Sequence, residues 1–349
     1  MKNLLLIICI IIIIFKTGNV FSDNNIFNVN NIELNKKTSK NKDYLVNLAF
    51  KRAFDQLLDR ILLEEDHKKF SNTKVNEIQK LVSYYQIIDP DENDIGNNKT
   101  IVNISFDKEK IHNIFYQKNI KYSDIIKTEI ILFPLLKKDN QIYIYNNNFF
   151  YENWKKQNFD NLIEYTLPLE NIENIQKINL IKNSIYNLDI NNFFKEYSKE
   201  NLAFVNIEIK KENVEVFLKA RIEGNNINKS FSIKKDNTLN EKEFFVKIIF
   251  DINDFVRDLI KSQNLIDVRT PSFLNAKIKI DNKKDNLVEF DKRVKQIDLI
   301  DNFHVLQLNK DYILIKIKYL GKIDKIIDKL NSLKVKLQNN AGQWLLDII

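Results

Sequence analysis

Apolar positions along the chain repeat with two periods. Val46, Ala49, Phe50, Ala53, Phe54, Leu57, Leu58 and Ile61 recur at steps of three and one, the signature of a helix with one apolar face. Val75, Ile78, Leu81, Val82 and Tyr85 repeat that spacing, so a second helix is expected, ending before Pro90. "NDIGNN" (93–98) reads as a loop. Val102, Ile104 and Phe106 alternate with Asn103 and Ser105, which predicts a half-buried strand. Asp107 then stands where an N-cap would open a helix over "KEKIHNIFYQ". Upstream, "IFNVNNIEL" supplies a candidate first strand.

Beyond residue 122 the period shortens. "TEIILFPLL" and "QIYIY" read as strands, and "DNQ" between them predicts a hairpin. "EYTLPLENIENIQKI" reads as a linker and a short helix. "AFVNIEI", "VEVFLKARI" and "KSFSIK" follow as strands, with Val214, Val216, Leu218, Ala220 and Ile222 on one face of the second. Phe245, Ile248, Ile249, Ile252, Val256 and Leu259 then mark a long helix that would cover the sheet.

After Pro271 the order is "AKIKID", a helix with Leu287, Phe290, Val294 and Ile297, "FHVLQL", "YILIKIKYL", a helix with Ile323, Ile326, Ile327 and Leu330, and "LKVKL" with "QWLLDI". That is the βαββαβ order of a ferredoxin-like unit, a fold that hosts many unrelated functions. The expected class is α/β of the α+β type: small mixed units whose antiparallel sheets are covered by helices. The expected organisation is a leader at 1–22, an α/β domain at 23–121, an aromatic-rich connecting segment at 122–180, a middle domain at 181–270 and the ferredoxin-like domain at 271–349.

The N-terminus changes the picture most. After Lys2 an unbroken apolar run extends from Leu4 to Phe15, followed by a short polar stretch. Twelve helical residues span about 18 Å, against about 30 Å for a hydrocarbon core. The pattern is that of a signal peptide, with Val20 and Ser22 at the positions that direct cleavage after Ser22. A periplasmic protein is therefore expected. The alternative is an inner-membrane anchor formed by residues 3–15, which would hold the protein close to the membrane. Cys9 is the sole cysteine and lies inside the apolar run. A chain cleaved after Ser22 has no thiol, which excludes disulfides, thiolate catalysis and cysteine-ligated metals.

Charge adds little. Loss of Lys2 and Lys16 with a leader lowers the formal charge of +7 by two, and lysine alternates with Asp and Glu almost everywhere. Arginine is scarce and unclustered, so no nucleic-acid partner is expected. The histidines stand alone. His67 follows Glu64 and Asp66 on a charged helix end, where a metal site is disfavoured because helical neighbours at i and i+1 diverge. His112 lies on a short helix, and His304 alternates with Phe303 and Val305 on a strand. No nucleophile motif occurs, and five glycines leave no phosphate-cradling loop. No catalytic, cofactor-binding or metal-binding residue is assigned, and no cofactor is expected. Carboxylates are abundant enough that a glycosidase-like pair stays open.

Six aromatic residues fall between Asp139 and Gln157: Tyr143, Tyr145, Phe149, Phe150, Tyr151 and Trp154. Rings beside "NNN" amides suit a protein partner or a glycan, for which Tyr143, Tyr145, Tyr151 and Trp154 are the candidate contacts. The competing reading is a core or a seam, since large rings are mostly buried. Tyr143 and Tyr145 alternate with Ile142 and Ile144, which would put the tyrosines on one side of a strand.

The chain resembles the bacterial domain of unknown function 2066, from about Asp43 to the C-terminus. "AFKRAFDQLLDRIL", "NISFDKEKIHNIFYQKNIKYS", "TEIILFPLLKKDNQIYIYNNNFFYENWKKQ" with "IEYTLPLENIENI", and "YLGKIDKIIDKL" with "GQWLL" carry the resemblance, including Trp154 and Trp344. It departs at Thr128-Glu129, where many members have Arg-Pro. The resemblance implies an exported protein and supplies no catalytic residue. The sequence thus leads to an exported, non-catalytic envelope interaction or assembly module with an unidentified envelope partner. The alternative is an envelope glycan-binding protein or hydrolase with its site near residues 143–154.

Overall fold

The computed structural model describes residues 25–35, 41–88, 99–125, 127–157, 159, 162–182, 184–197, 201–280 and 286–349. The expected leader, its cleavage point, the anchor reading of residues 3–15 and the loop at 93–98 lie outside the described residues. The fold is mixed, with antiparallel-rich sheets covered by helices, as the periodicities predict. The chain gathers into two compact units: the part up to Asp124 with Leu265–Ile349, and Ile125–Asn264.

The first unit opens with β1 (Asn28–Asn35), α1 (Lys42–Ile61), α2 (Glu64–His67), α3 (Val75–Leu81), β2 (Val82–Ile88), β3 (Lys99–Phe106), α4 (Lys108–Lys118) and β4 (Tyr122–Ser123). Three of these strands form an antiparallel sheet in the order β1-β3-β2. The Asn41 side chain caps α1 by accepting from the Asp43 and Tyr44 amides. The predicted stripe, from Ala49 to Ile61, is buried, and Phe54 meets Phe106 of β3 at 5.9 Å between ring centroids.

Asp107 caps α4 by accepting from the Lys110 amide, and Asn119 closes it in the left-handed conformation. One expectation fails here. The second helix stops at Leu81, and Val82–Ile88 pairs with β3 instead of continuing to Pro90. "VSYYQII" is β-branched and aromatic, a composition that favours a strand paired with β3 over further helical turns.

The second unit comprises β5 (Thr128–Lys138), β6 (Gln141–Tyr143), α5 (Phe149–Asn153), β7 (Ile163–Thr166), α6 (Ile172–Ile181), α7 (Ile190–Phe193), β8 (Asn201–Ile209), β9 (Asn213–Ile222), β10 (Asn225–Lys234) and α8 (Glu241–Gln263). Its six-stranded sheet has the order β10-β9-β8-β5-β6, with β7 also on β5. β8, β9 and β10 form the expected antiparallel meander, while β5 runs parallel to β8 and to β7.

Residues 122–180, expected as a connection, therefore supply an interior strand of the sheet. β5 is buried on both sides, which explains its unbroken apolar run. Ile130, Leu132 and Leu136 face the side of α8, whose Asn240–Glu243 capping box starts a helix with one apolar stripe. Ile131, Phe133 and Leu135 face a second layer built from α6, α7 and short 3-10 turns.

Pro134 interrupts β5 without breaking the sheet. β7 pairs with residues 128–131 of β5 and β6 with 136–138, so among the described residues no strand faces the stretch between them on that edge. Asn148 fills the gap. Its Nδ2 donates to the Pro134 carbonyl at 2.8 Å, and its Oδ1 accepts from the Phe150 amide at 3.0 Å, starting α5.

After α8 the chain returns through β11 (Leu265–Ile266), which pairs with β4. β12 (Ser272–Lys279), α9 (Asn286–Val294), β13 (Ile300–Leu308), β14 (Tyr312–Tyr319), α10 (Ile323–Ser332), β15 (Val335–Asn340) and β16 (Gln343–Ile348) follow. The βαββα order is as predicted, but the closing strand is a hairpin. Ala341 and Gly342 both have positive φ, the geometry of a two-residue hairpin turn. β16 lies beside β12 in parallel, and β15 takes the edge of the order β13-β14-β12-β16-β15.

Asn148 is fully buried, and Asn148→Ala would strip a donor from the Pro134 carbonyl and a cap from α5. A loss of roughly 2–4 kcal/mol is expected from two buried groups left unpaired. Denaturant unfolding of the variant checks it, and an unchanged midpoint would mean that the clamp is dispensable.

Candidate functional site

The four candidate contacts do not converge. β6 ends at Tyr143, and Tyr145 enters a 3-10 turn with a φ of 51°, so the expected alternation breaks between them. Tyr143 is half-buried on the α8 side of the sheet, and its hydroxyl donates to Gln141 Oε1 at 2.8 Å. Tyr145 is buried in the opposite layer, edge-on to Phe133 and Tyr151. Burial holds the Tyr145 hydroxyl above its ordinary pKa. Tyr151 is half-buried in that same layer and donates to the Pro168 carbonyl at 2.7 Å. Trp154 is 0% exposed, packed edge-on to Tyr165 at 5.6 Å in the α8-side core. Phe150 is also fully buried there, tilted against Phe245. The stretch straddles the sheet edge and fills both cores of its own unit. Trp154 and Tyr145 are thus closed to a partner or a glycan.

A cleft of about 810 Å³ lies in the same unit. This is within the usual range for small-molecule sites, about 300–1,000 Å³. Its floor is the C-terminal end of the parallel β5–β8 pair. Phe204 on β8 belongs to the apolar second layer; two residues on, Asn206 takes its place, and then Glu208. Lys137 of β5 stands opposite Glu208 in register and pairs with it at 3.1 Å. The β5–β6 turn, with Asn140 and Gln141, forms one wall. The C-terminal end of α6, with Asn179 and Lys182, and the following turn with Tyr186 form the other. Tyr186 is 58% exposed and is held edge-on by Phe217 at 4.8 Å.

Asn206 is the unusual residue. It is 3% exposed, sits between Leu135 and Phe217 across the sheet, and its Oδ1 has no hydrogen-bond partner within the protein. Buried amides are ordinarily satisfied. Sequence reasoning counted Asn206 only as the polar member of an alternating strand. The available signal was its place on the face that begins Leu202, Phe204, where an apolar residue would continue the core.

The first unit holds a smaller cleft of about 410 Å³ beside His112. Its charges are largely matched, with Lys318 on Asp301 at 2.6 Å and Arg269 on Asp267. His112 packs on Phe27 and Tyr122, and its Nε2 is buried without a protein partner. Burial pushes the imidazole from its ordinary 6.5 down to about 4, with Lys108 adding to the effect and Asp301 opposing it. His67 lies 3.9 Å from Asp59, and His304 is exposed on β13. Among the described residues no group of three or more His, Cys, Asp or Glu is placed to hold a metal ion. No described helix is long and apolar enough to cross a membrane.

No protein-family model matches the chain, and no curated protein matches it. The resemblance to the domain of unknown function 2066 therefore gains no support from a family match. Two crystal structures align with it in part. Lipoprotein GNA1162 from Neisseria meningitidis covers 37% of this chain and 96% of its own, at 9% identity and a TM-score of 0.24. An uncharacterized protein covers 39% of this chain and 91% of its own, at 10% identity and a TM-score of 0.17. Likenesses at these scores carry no argument.

Two outcomes follow from the buried rings. Trp154→Ala is expected to cost about 3–5 kcal/mol, as for a large core aromatic. Trp154→Phe should cost much less, because the indole Nε1 has no partner to lose. Thermal melts of both variants test the core assignment, which fails if the alanine variant melts like the parent. For His112, the unfolded chain binds the extra proton between pH 6.5 and about 4. Stability should therefore fall as pH drops through that window and be unaffected by this group above it. His112→Gln should flatten the melting temperature across the same window.

Proposed function

We propose that the chain is an exported, envelope-associated binding module that acts through non-covalent contacts. The leader pattern over residues 1–22 supports export, and the resemblance to the domain of unknown function 2066 agrees with it. The observation that carries the binding role is Asn206, a buried amide with an unpaired Oδ1 on the floor of the second unit's cleft. Leaving such a group unpaired costs about 1–3 kcal/mol, a cost that a ligand would offset. Lys137 pairs with Glu208 in the larger cleft and Lys318 with Asp301 in the smaller, and burial keeps His112 neutral at ordinary pH, which favours recognition over acid–base chemistry. The alternative of an envelope hydrolase has no such observation behind it.

Assembly with a protein partner is a second reading, favoured by β13. This strand lies at an edge of its sheet and exposes Val305, Leu306 and Leu308. An exposed apolar edge is a template for pairing with another strand.

The test is made in the producing cell. The protein is recovered from the envelope fraction and its N-terminus sequenced, with Asp23 expected first. A photo-crosslinking residue is then placed at Tyr186, at Leu306 or, as a control, at Phe273, all of which are exposed. Adducts at Tyr186 support the cleft, and adducts at Leu306 support assembly. Recovery in the cytoplasm with residues 1–22 intact, or adducts no more frequent at either position than at Phe273, overturns the proposal.

A further inference from the structure

We propose that the cleft of the second unit binds a neutral saccharide, an inference that rests on the binding-module reading above. Three properties of the lining select this class. First, half of its eight polar side chains are amides: Asn206 on the floor, Asn140 and Gln141 on one wall and Asn179 on the other. An amide donates and accepts at once, as a sugar hydroxyl does, so the two match without any change of charge. An apolar ligand would leave these groups unpaired in a dehydrated site.

Second, the charges on the floor neutralise one another. Lys137 and Glu208 are 3.1 Å apart, with side chains 27% and 21% exposed. A strongly anionic ligand would have to displace Glu208 from Lys137 or be held by Lys182 alone at the wall, and a cation would have to displace Lys137. A hydroxyl can bridge both ions and leave the pair intact. Third, Tyr186 presents an exposed ring at the mouth, fixed by Phe217. A pyranose has one face rich in C–H groups, which packs on such a ring while its hydroxyls turn to the amides.

Asn206 also separates a binding role from a structural one. Leucine has nearly the same shape, and here it would replace an unpaired polar group by an apolar one beside Leu135 and Phe217. A residue kept for folding should destabilise the protein when replaced. A residue kept for a ligand should leave stability unchanged or improved.

The experiment measures binding of chitotriose and of maltotriose to the purified protein by calorimetry and by ligand-observed NMR. The parent is compared with Asn206→Leu and Tyr186→Ala. At least one trisaccharide is expected to bind, and each substitution to weaken it roughly tenfold or more. Asn206→Leu should melt at or above the parent temperature. Absence of binding at millimolar trisaccharide, survival of binding in both variants, or a sharp fall in the melting temperature of Asn206→Leu each overturns the proposal. Trialanine and citrate are run in parallel. If either binds and Tyr186→Ala abolishes it, the saccharide inference fails while the binding module stands. If no probe binds and Tyr186 gives no adducts in the cell, the cleft has no ligand role and both readings fail.

Discussion

The second unit depends on how β5 is partnered. A strand buried on both faces needs a hydrogen-bond partner on each edge, and Pro134 removes a donor from its middle. β8 satisfies one edge along its length. The other edge is divided among β7, the side chain of Asn148, and β6. Because Asn148 must reach the Pro134 carbonyl, the chain after β6 turns back over the sheet edge. The same amide then opens α5 through the Phe150 amide. One buried side chain thus fixes where the aromatic segment starts and which way it runs.

The placement of the rings follows from that constraint. A segment crossing the edge of a sheet can send side chains to both faces, which a strand within the sheet does only by alternation. The positive φ at Tyr145 turns its ring into the layer of Phe133 and Phe204. Phe150 and Trp154, one helical turn apart, enter the α8 side. Rings that suited a core or seam as well as a platform in sequence close two cores, and their number reflects the two apolar layers at that edge.

Much of the fold was legible because the relevant signal is local. The stripe of α1, the cap at Asp107, and the alternation of β3 and β9 each lie within one element. Errors arose where tertiary context overrides a local pattern. Val82 and Tyr85 fit a helical period, yet pairing with β3 took them into a strand. "LKVKL" and "QWLLDI" pair through a turn at Ala341-Gly342, one strand more than the βαββαβ order holds. The parallel pairing of β5 with β8 was not legible, since residues 139–200 lie between the two strands.

The cleft shows why a site is harder to read than a fold. Lys137, Asn179, Tyr186 and Asn206 come from four elements spread over some seventy residues, and none belongs to a motif. What joins them is topology. When two parallel strands end side by side, the connections that leave their C-terminal ends diverge, and a crevice opens between them. Here β5 leaves through the Asn140 turn, and Lys137, Asn206 and Glu208 lie near the ends of the pair. The second layer of α6 and α7 covers the sheet only as far as Phe204 and Leu135. Past that line the same face carries amides and an ion pair. The boundary between core and cleft is therefore one step along β8, from Phe204 to Asn206. A binding surface there requires no element beyond those that the burial of β5 already imposes.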